Sequence, residues 1–221
     1  MARQKNMKRR RTILKNTFEL LRDDSMPRVS LQKIADKSGI SKSLLQSYYP
    51  HKNKLIIEIV STYMSTVLDA LSYDKIEFKN EFVKMEVFAY IILQLGIDDK
   101  ATARVLDSSI RDESSITKSL DRLNNWIDQR QLAPKLGGER AVKLGLTFIV
   151  PGIGMLFLKR NELDLDAEKI VQLMIQSYMA SFAHASQEEI EQVVKDAHEI
   201  ISNFDMSNLL HLLDHMFDEK E

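Results

Sequence analysis

Apolar residues recur every three or four positions along almost the whole chain, which is the spacing that places them on one face of an α-helix. The segment from Lys8 to Leu21 has such a face, formed by Ile13, Leu14, Thr17, Phe18 and Leu21. Strand-like alternation of polar and apolar positions is scarce, and the chain has only 7 glycines and 4 prolines. The pattern predicts an all-α fold.

The same periodicity locates the individual helices. The first is predicted at 8–21, the second after Ser30, the third at Lys42–Tyr48, and a long fourth from His51 or Lys52 onward. Seven more are predicted at 80–95, 100–109, 115–131, 139–159, 166–185, 187–203 and 206–217. Helix starts are expected at Asp99, Ser114, Asp164 and Ser186, and breaks at Gly96 and Gly137–Gly138.

Two short helices joined by a glycine-containing turn form the segment Val29–Leu55. Ser30 and Ser41 are suitable N-caps, and Gly39 supplies the left-handed residue that a tight turn needs. Two apolar pairs have the spacing of hydrophobic staples: Val29 with Ile34, and Ile40 with Leu45. Such a helix-turn-helix corner presents its second helix on the surface, where it can enter a major groove.

The recognition helix of this corner is Lys42–Tyr48. Gln pairs with adenine, Lys with guanine and Ser with either partner type, while Leu44 suits a thymine methyl group. The residues expected to contact DNA from this helix and its cap are Ser41, Lys42, Ser43, Leu44, Gln46 and Ser47. Leu45 and Tyr49 are expected to face the core.

Phosphate contacts are expected from residues around the corner. Ser30 and Gln32 lie at a helix N-terminus, whose N–H groups favour an anion. Further candidates are the Tyr48 hydroxyl, Lys52 and Lys54, and the basic arm of Lys5, Lys8, Arg9, Arg10 and Arg11. The alternative interpretation of the arm is a solvated tail.

The charge distribution supports a nucleic-acid partner. Residues 1–54 carry 14 basic and 4 acidic side chains, whereas the whole chain has a formal net charge of −1. A basic head on an acidic body is typical of a protein that places one end against a polyanion. The chain has no cysteine, which excludes disulfides and thiolate metal sites and favours the cytoplasm.

Residues 8–60 resemble the DNA-binding domain of the TetR family of transcription regulators. The matching positions are Ser30, Ile34-Ala35, Gly39, Ser41-Lys42, Leu45, Tyr48-Tyr49 and Lys52. Three positions depart from the family pattern, where Ser43 replaces a glycine, Leu44 a threonine and Gln46 a tyrosine. That tyrosine position commonly contacts the DNA backbone in the family, so we assign Gln46 to base reading instead.

The resemblance implies a homodimer whose two heads bind successive major grooves of a pseudo-palindromic operator. It further implies a repressor that a small apolar or amphipathic molecule releases from double-stranded DNA. The head, with its linking helix, is predicted at 1–70, and the ligand-binding and dimerisation body at 71–221. The resemblance also favours a dimer seam at 139–159 and 166–185. The glycines there, Gly145, Gly152 and Gly154, would permit close approach, although an internal core helix is the alternative.

The body also offers candidates for a ligand pocket. Large apolar side chains that could line it are Phe88, Ile92, Trp126, Phe148, Met155 and Met174. Pro151 is expected to kink or break its helix. The extension 187–221 is expected either to cap the bundle or to dock a protein partner. The competing functional hypothesis is accordingly a DNA-targeted interaction module without a small ligand.

Other functions find little support in the sequence. The apolar stretch Leu144–Leu158 is shorter than a membrane span and contains a proline, so no membrane partner is expected. His211 and His215 lie one helical turn apart but lack a clear third metal ligand. No nucleophile elbow, phosphate-binding loop or zinc-protease motif is present, and neither an enzyme nor a cofactor is predicted.

Overall fold

A computed structural model describes residues 7–73 and 76–218, so Lys5 of the predicted arm lies outside the described residues. The described residues form α-helices without strands, as predicted. The helices are α1 Met7–Asp23, α2 Leu31–Lys37, α3 Lys42–Tyr48, α4 Lys52–Tyr73, α5 Glu81–Asp98, α6 Lys100–Ile110, α7 Glu113–Gln129, α8 Glu139–Lys159, α9 Ala167–Ser181, α10 Gln187–Ser202 and α11 Ser207–His215. A 3₁₀ helix, Ala133–Leu136, precedes α8.

Side-chain caps determine where several of these helices begin. Asp99 caps α6, and Ser186 caps α10 in a reciprocal capping box with Glu189, so both predicted starts are confirmed. The predictions for Ser114 and Asp164 are wrong, because Asp112 caps α7 and Asp166 caps α9. In both cases a nearby aspartate is the N-cap residue, and its negative charge also complements the helix dipole.

Gly96 does not break α5, contrary to the prediction, but lies buried inside it. A Cβ atom there would come within 2.5 Å of Leu106 Cδ1 and 3.0 Å of Phe157 Cζ. This glycine therefore permits α6 and α8 to pack closely on α5, and the chain turns later, at Asp99. The predicted break at Gly137–Gly138 is confirmed, with both residues at positive φ.

The buried apolar residues form two hydrophobic clusters, one in the head and one in the body, and α4 contributes to both. Leu55, Ile56, Ile59 and Val60 of α4 belong to the cluster formed with α1, α2 and α3, whereas the buried residues from Tyr63 onward join the cluster of the body. The head cluster also takes in Ala101 and Val105 from α6. Head and body are thus joined by a continuous helix and by packing against α6, while the domain boundary near residue 70 stays a prediction.

Helix α8 runs unbroken through Pro151, so of the two predicted outcomes, a kink or a break, the break does not occur. The kink stays a prediction. Two of its glycines serve contacts within the chain: a Cβ at Gly145 would lie 2.3 Å from Tyr178 of α9, and one at Gly154 would lie 2.9 Å from Ile110 of α6. Gly152 instead has open space around it. The glycines at 145 and 154 therefore fit the internal-core alternative.

Helix α8 is also the one described helix long and apolar enough to cross a membrane, by length and composition alone. Only 39% of its apolar window is buried within the chain. One face packs against α6, α7 and α9, and the other remains uncovered.

The C-terminal extension packs against the rest of the chain. Helix α10 contacts α5 and α9, and α11 contacts α4. Beyond α11, Phe217 enters the head cluster, with its ring 6.0 Å from that of Phe18 in an edge-on arrangement. Ion pairs join Asp218 to Lys15 at 2.7 Å and Asp214 to Arg22. The extension therefore caps the bundle and ties α1 to the body.

Candidate nucleic-acid interface

The helix-turn-helix corner forms as the sequence predicts. The Ser30 hydroxyl accepts a hydrogen bond from Lys33 N–H at 3.1 Å, and the Ser41 hydroxyl accepts one from Leu44 N–H at 3.2 Å. Gly39 has φ +64° in the turn between them. Ile40 N–H then donates to the Ala35 carbonyl at 3.1 Å, which closes the end of α2.

Helix α3 presents one face to the core and the other to solvent. Leu45 and Tyr49 are buried, whereas the side chains predicted to read bases are exposed, apart from the half-buried Leu44: Lys42, Ser43, Gln46 and Ser47. A buried α3 would have excluded a DNA-reading role, and the structure places the helix on the surface.

The polar groups of α3 are not equally available for a partner. The hydroxyls of Ser43 and Ser41 lie 3.0 Å apart, and the Ser47 hydroxyl donates to the Leu44 carbonyl at 2.7 Å. Lys42 and Gln46 form no side-chain hydrogen bond with the part of the chain that the structure describes. Base recognition would therefore depend mainly on Lys42 and Gln46, because their donors and acceptors need no rearrangement.

The candidates at the start of α2 are exposed but locally engaged. Ser30 caps the helix, and the Gln32 amide donates to Asp36 Oδ1 at 2.7 Å. Tyr48 is half-buried at the end of α3, next to the exposed Pro50. All three positions lie around the corner, and their phosphate contacts stay predictions.

Arg10 belongs to an internal cluster that the sequence did not reveal. Its guanidinium contacts Glu58 of α4 at 2.6 and 2.7 Å and lies 3.3 Å from the Tyr49 hydroxyl. The Tyr49 hydroxyl donates to Glu58 at 2.9 Å. Burial and the nearby Glu58 carboxylate raise the pKa of Tyr49, and the same carboxylate raises the pKa of Arg10.

This cluster ties α1, the end of α3 and α4 together. Arg10 thus positions α3, and Arg9 is the exposed neighbour on α1. Residues 8–11 of the predicted basic arm lie within α1, in agreement with a first helix that begins near residue 8. Their contacts with DNA stay a prediction.

Lys52 has an internal role that spacing alone did not indicate. Its ammonium donates to the carbonyls of Met26 at 2.9 Å and Val29 at 3.1 Å. These bonds hold the loop before α2 against the start of α4. The phosphate contact predicted for Lys52, which implies a salt slope lower by about one for Lys52→Ala, stays a prediction.

We expect Lys52→Met to lower the free energy of unfolding by about 1–2 kcal/mol, because two carbonyls lose a charged donor. Urea denaturation followed by circular dichroism measures the change. The exposed Lys54, two residues further along α4, provides the control Lys54→Met. Equal effects of the two substitutions would contradict the structural role of Lys52.

A cavity of about 180 Å³ lies in the body, between α4, α5, α7, α8 and α9. Four of the predicted pocket residues line it: Phe88, Ile92, Trp126 and Met174. Phe148 and Met155 do not line it and were wrongly placed there, since they are 66% and 53% exposed on the outer face of α8. Leu146, Ile149, Val150 and Ile153 of that helix line the cavity instead.

The two histidines of α11 lie side by side, with ring centroids 4.6 Å apart. His215 Nδ1 is 2.7 Å from Asp218. Within residues 7–73 and 76–218 no group of three or more histidine, aspartate or glutamate side chains could hold a metal ion.

Comparison with known proteins supports the fold. No protein-family profile matches the chain, and no curated protein sequence does. Among solved structures, the chain is similar to full-length TylP, a TetR regulator from Streptomyces fradiae, with a TM-score of 0.53 and 15% identity over 88% of this chain and 99% of that one. At this identity the similarity shows a TetR-like all-α fold.

Proposed function

We propose that this protein is a DNA-binding transcription regulator whose α3 enters the major groove of double-stranded DNA. The exposed Lys42 and Gln46, on a helix held outward by the buried Leu45 and Tyr49, carry this proposal. The resemblance of the head to the TetR family and the TetR-like fold support it. The excess of basic residues in 1–54 supplies the attraction to phosphates.

The proposed regulator acts as a homodimer through the uncovered face of α8 and the adjoining part of α9. Large apolar side chains on this face are exposed in the single chain: Leu144, Phe148, Met155 and Leu173. Positions 144, 148 and 155 share one face of α8 by helical spacing, and a large exposed apolar patch marks an interface. A two-fold axis through the face pairs two α8–α9 hairpins into a four-helix bundle and presents two heads to one operator.

The proposed effector site is the cavity of the body. Met64 and Leu68 of α4 line it, and α4 continues into the head cluster. A ligand that fits the cavity best when α4 is displaced shifts the population toward heads that no longer match the operator. Repression relieved by a small molecule is the regulation that this arrangement supports best.

The competing hypothesis is an interaction module whose body docks another protein. The cavity favours a small ligand over that alternative, because a body that served only as a docking scaffold would need no internal space. We place the regulator in the cytoplasm, with its DNA.

Binding to DNA from upstream of its own gene tests the proposal. Fluorescence anisotropy at several salt concentrations should give saturable binding, with an affinity that falls steeply as salt rises. A scrambled duplex of the same composition is the control. Absence of binding to any duplex at low ionic strength would reject the proposed function.

We expect Gln46→Ala to change sequence preference, because the amide would lose its hydrogen bonds to one base. At the contacted base pair, discrimination should fall by about 1–3 kcal/mol, or roughly 5- to 150-fold. Anisotropy with single-base operator variants measures this, and Gln129→Ala on α7 is the matched control. A uniform loss across all operators would instead make Gln46 a backbone contact.

A further inference from the structure

The cavity of the body is almost entirely apolar, and among the described residues two charged side chains line it. These are Glu81 and Lys84, both near the start of α5, and the other lining residues are aliphatic, aromatic or methionine side chains. A few polar groups in an apolar pocket generally fix the orientation of a ligand. The charges of these two residues therefore bear on what the cavity can hold.

The two charged residues differ in whether a partner neutralises them. Glu81 forms an ion pair with Lys135 at 3.7 Å. The Lys84 ammonium lies over the rings of Phe78 at 5.8 Å and Trp126 at 5.7 Å. It has no carboxylate partner within the described part of the chain. Lys84 is half-buried, and its ammonium lies beside Trp126, which also lines the cavity.

A second cation adds to the positive charge at this edge. The Arg130 guanidinium stacks on Trp126, 4.6 Å from the ring centroid. Aromatic rings hold a cation in place but do not neutralise it. No carboxylate of residues 7–73 and 76–218 pairs with the Lys84 ammonium, so a positive charge lies at the edge of the cavity, directly beside its apolar lining.

We propose that the cavity binds a small organic acid, with its carboxylate paired to Lys84 and its apolar body among the α5, α7 and α8 side chains. A dry cavity of about 150 Å³ can hold one benzene molecule, so about 180 Å³ suits one aromatic ring or a short alkyl chain. The inference rests on the proposed function only where it treats this acid as the effector.

Intrinsic fluorescence offers a direct test, because Trp126 lines the cavity and is the only tryptophan of the chain. The protein without DNA is titrated with octanoate and 3-phenylpropionate, and with octan-1-ol and 3-phenylpropan-1-ol as neutral probes of matching shape. A charge-assisted hydrogen bond should make the acids bind at least about tenfold more tightly than the alcohols.

Substitutions of Lys84 test whether the affinity for the acids depends on its positive charge or only on apolar contacts in the cavity. Lys84→Met should reduce the affinity for the acids to that for the alcohols and leave the alcohols unchanged. Lys84→Gln serves as a second variant, and Lys195→Met on the exposed surface of α10 is the control. Circular dichroism verifies that each variant is folded.

The ligand titrations test the cavity independently of whether the protein binds DNA. Equal affinity of acids and alcohols, no response to any probe, or an unchanged preference in folded Lys84 variants would each overturn the inference. Acid binding with the expected preference would support it even if the protein ignored DNA, and that result would reject the proposed function alone.

Discussion

Phe148→Glu should convert the proposed dimer into monomers. In a two-fold interface the same residue is buried once on each subunit, so one substitution places two unpaired carboxylates in an apolar seam. Phe148 is 66% exposed in the single chain, and its ring lies 5.7 Å from that of Phe182. The fold itself should therefore tolerate the change.

We expect the dimer dissociation constant to rise at least about 100-fold, since burying an unpaired charge costs several kcal/mol per subunit. Operator affinity should fall by a similar factor, because one head alone contacts only half of the operator. Sedimentation velocity and anisotropy measure the two effects. The exposed Ile97 at the end of α5 gives the matched control Ile97→Glu. A dimeric Phe148→Glu protein would show that the seam lies elsewhere.

Glu86→Gln should change how stability depends on pH. Glu86 is fully buried on α5, and neither carboxylate oxygen accepts a hydrogen bond within the described residues. Burial, with a smaller contribution from the nearby Glu168 carboxylate, raises the pKa of Glu86 to about 8. The folded protein therefore keeps a proton that the unfolded chain releases near its ordinary pKa of 4.5.

This difference in bound protons determines whether the free energy of unfolding rises or falls with pH. Between about pH 4.5 and 8 the folded state holds more protons at this site, so the free energy of unfolding falls as pH rises, by up to about 1.4 kcal/mol per unit. Glutamine does not titrate, so the substitution removes this slope. Relative to the unsubstituted protein, Glu86→Gln should gain about 2–4 kcal/mol between pH 5 and 8.

Urea denaturation at pH 5, 6.5 and 8 measures the gain. Glu188→Gln on the exposed surface of α10 is the control. Parallel pH profiles of the unsubstituted protein and Glu86→Gln would mean that Glu86 has a similar pKa in the folded and unfolded states.

Local signals in the sequence located the helices and the corner, although they misplaced two helix starts and the end of α5. Ser30, Gly39 and Ser41 act through neighbours three or four positions away, so spacing alone predicts their roles. Periodicity failed in α8, because that helix is apolar on nearly all sides. For this reason Phe148 and Met155 were assigned to the cavity although they face outward.

Contacts between distant parts of the chain could not be predicted. Arg10 bonds to Glu58, 48 positions away, and Lys52 bonds to Met26, 26 positions away. In both cases a basic residue predicted to contact DNA forms a hydrogen bond within the chain. The burial of Glu86 likewise contradicts the general rule that a carboxylate faces water. Such features depend on how helices pack, and no local pattern encodes them.

The contact between Phe217 and Phe18 has a consequence for biosynthesis. Their neighbours Lys15 and Asp218 are 203 positions apart, and at about 5–20 residues per second a ribosome needs roughly 10 to 40 seconds to cover that distance. A nascent chain therefore exposes α3 well before the Phe217 side chain, which completes the packing against α1, has been synthesised. Only after translation has passed the last helix can the head reach its final packing.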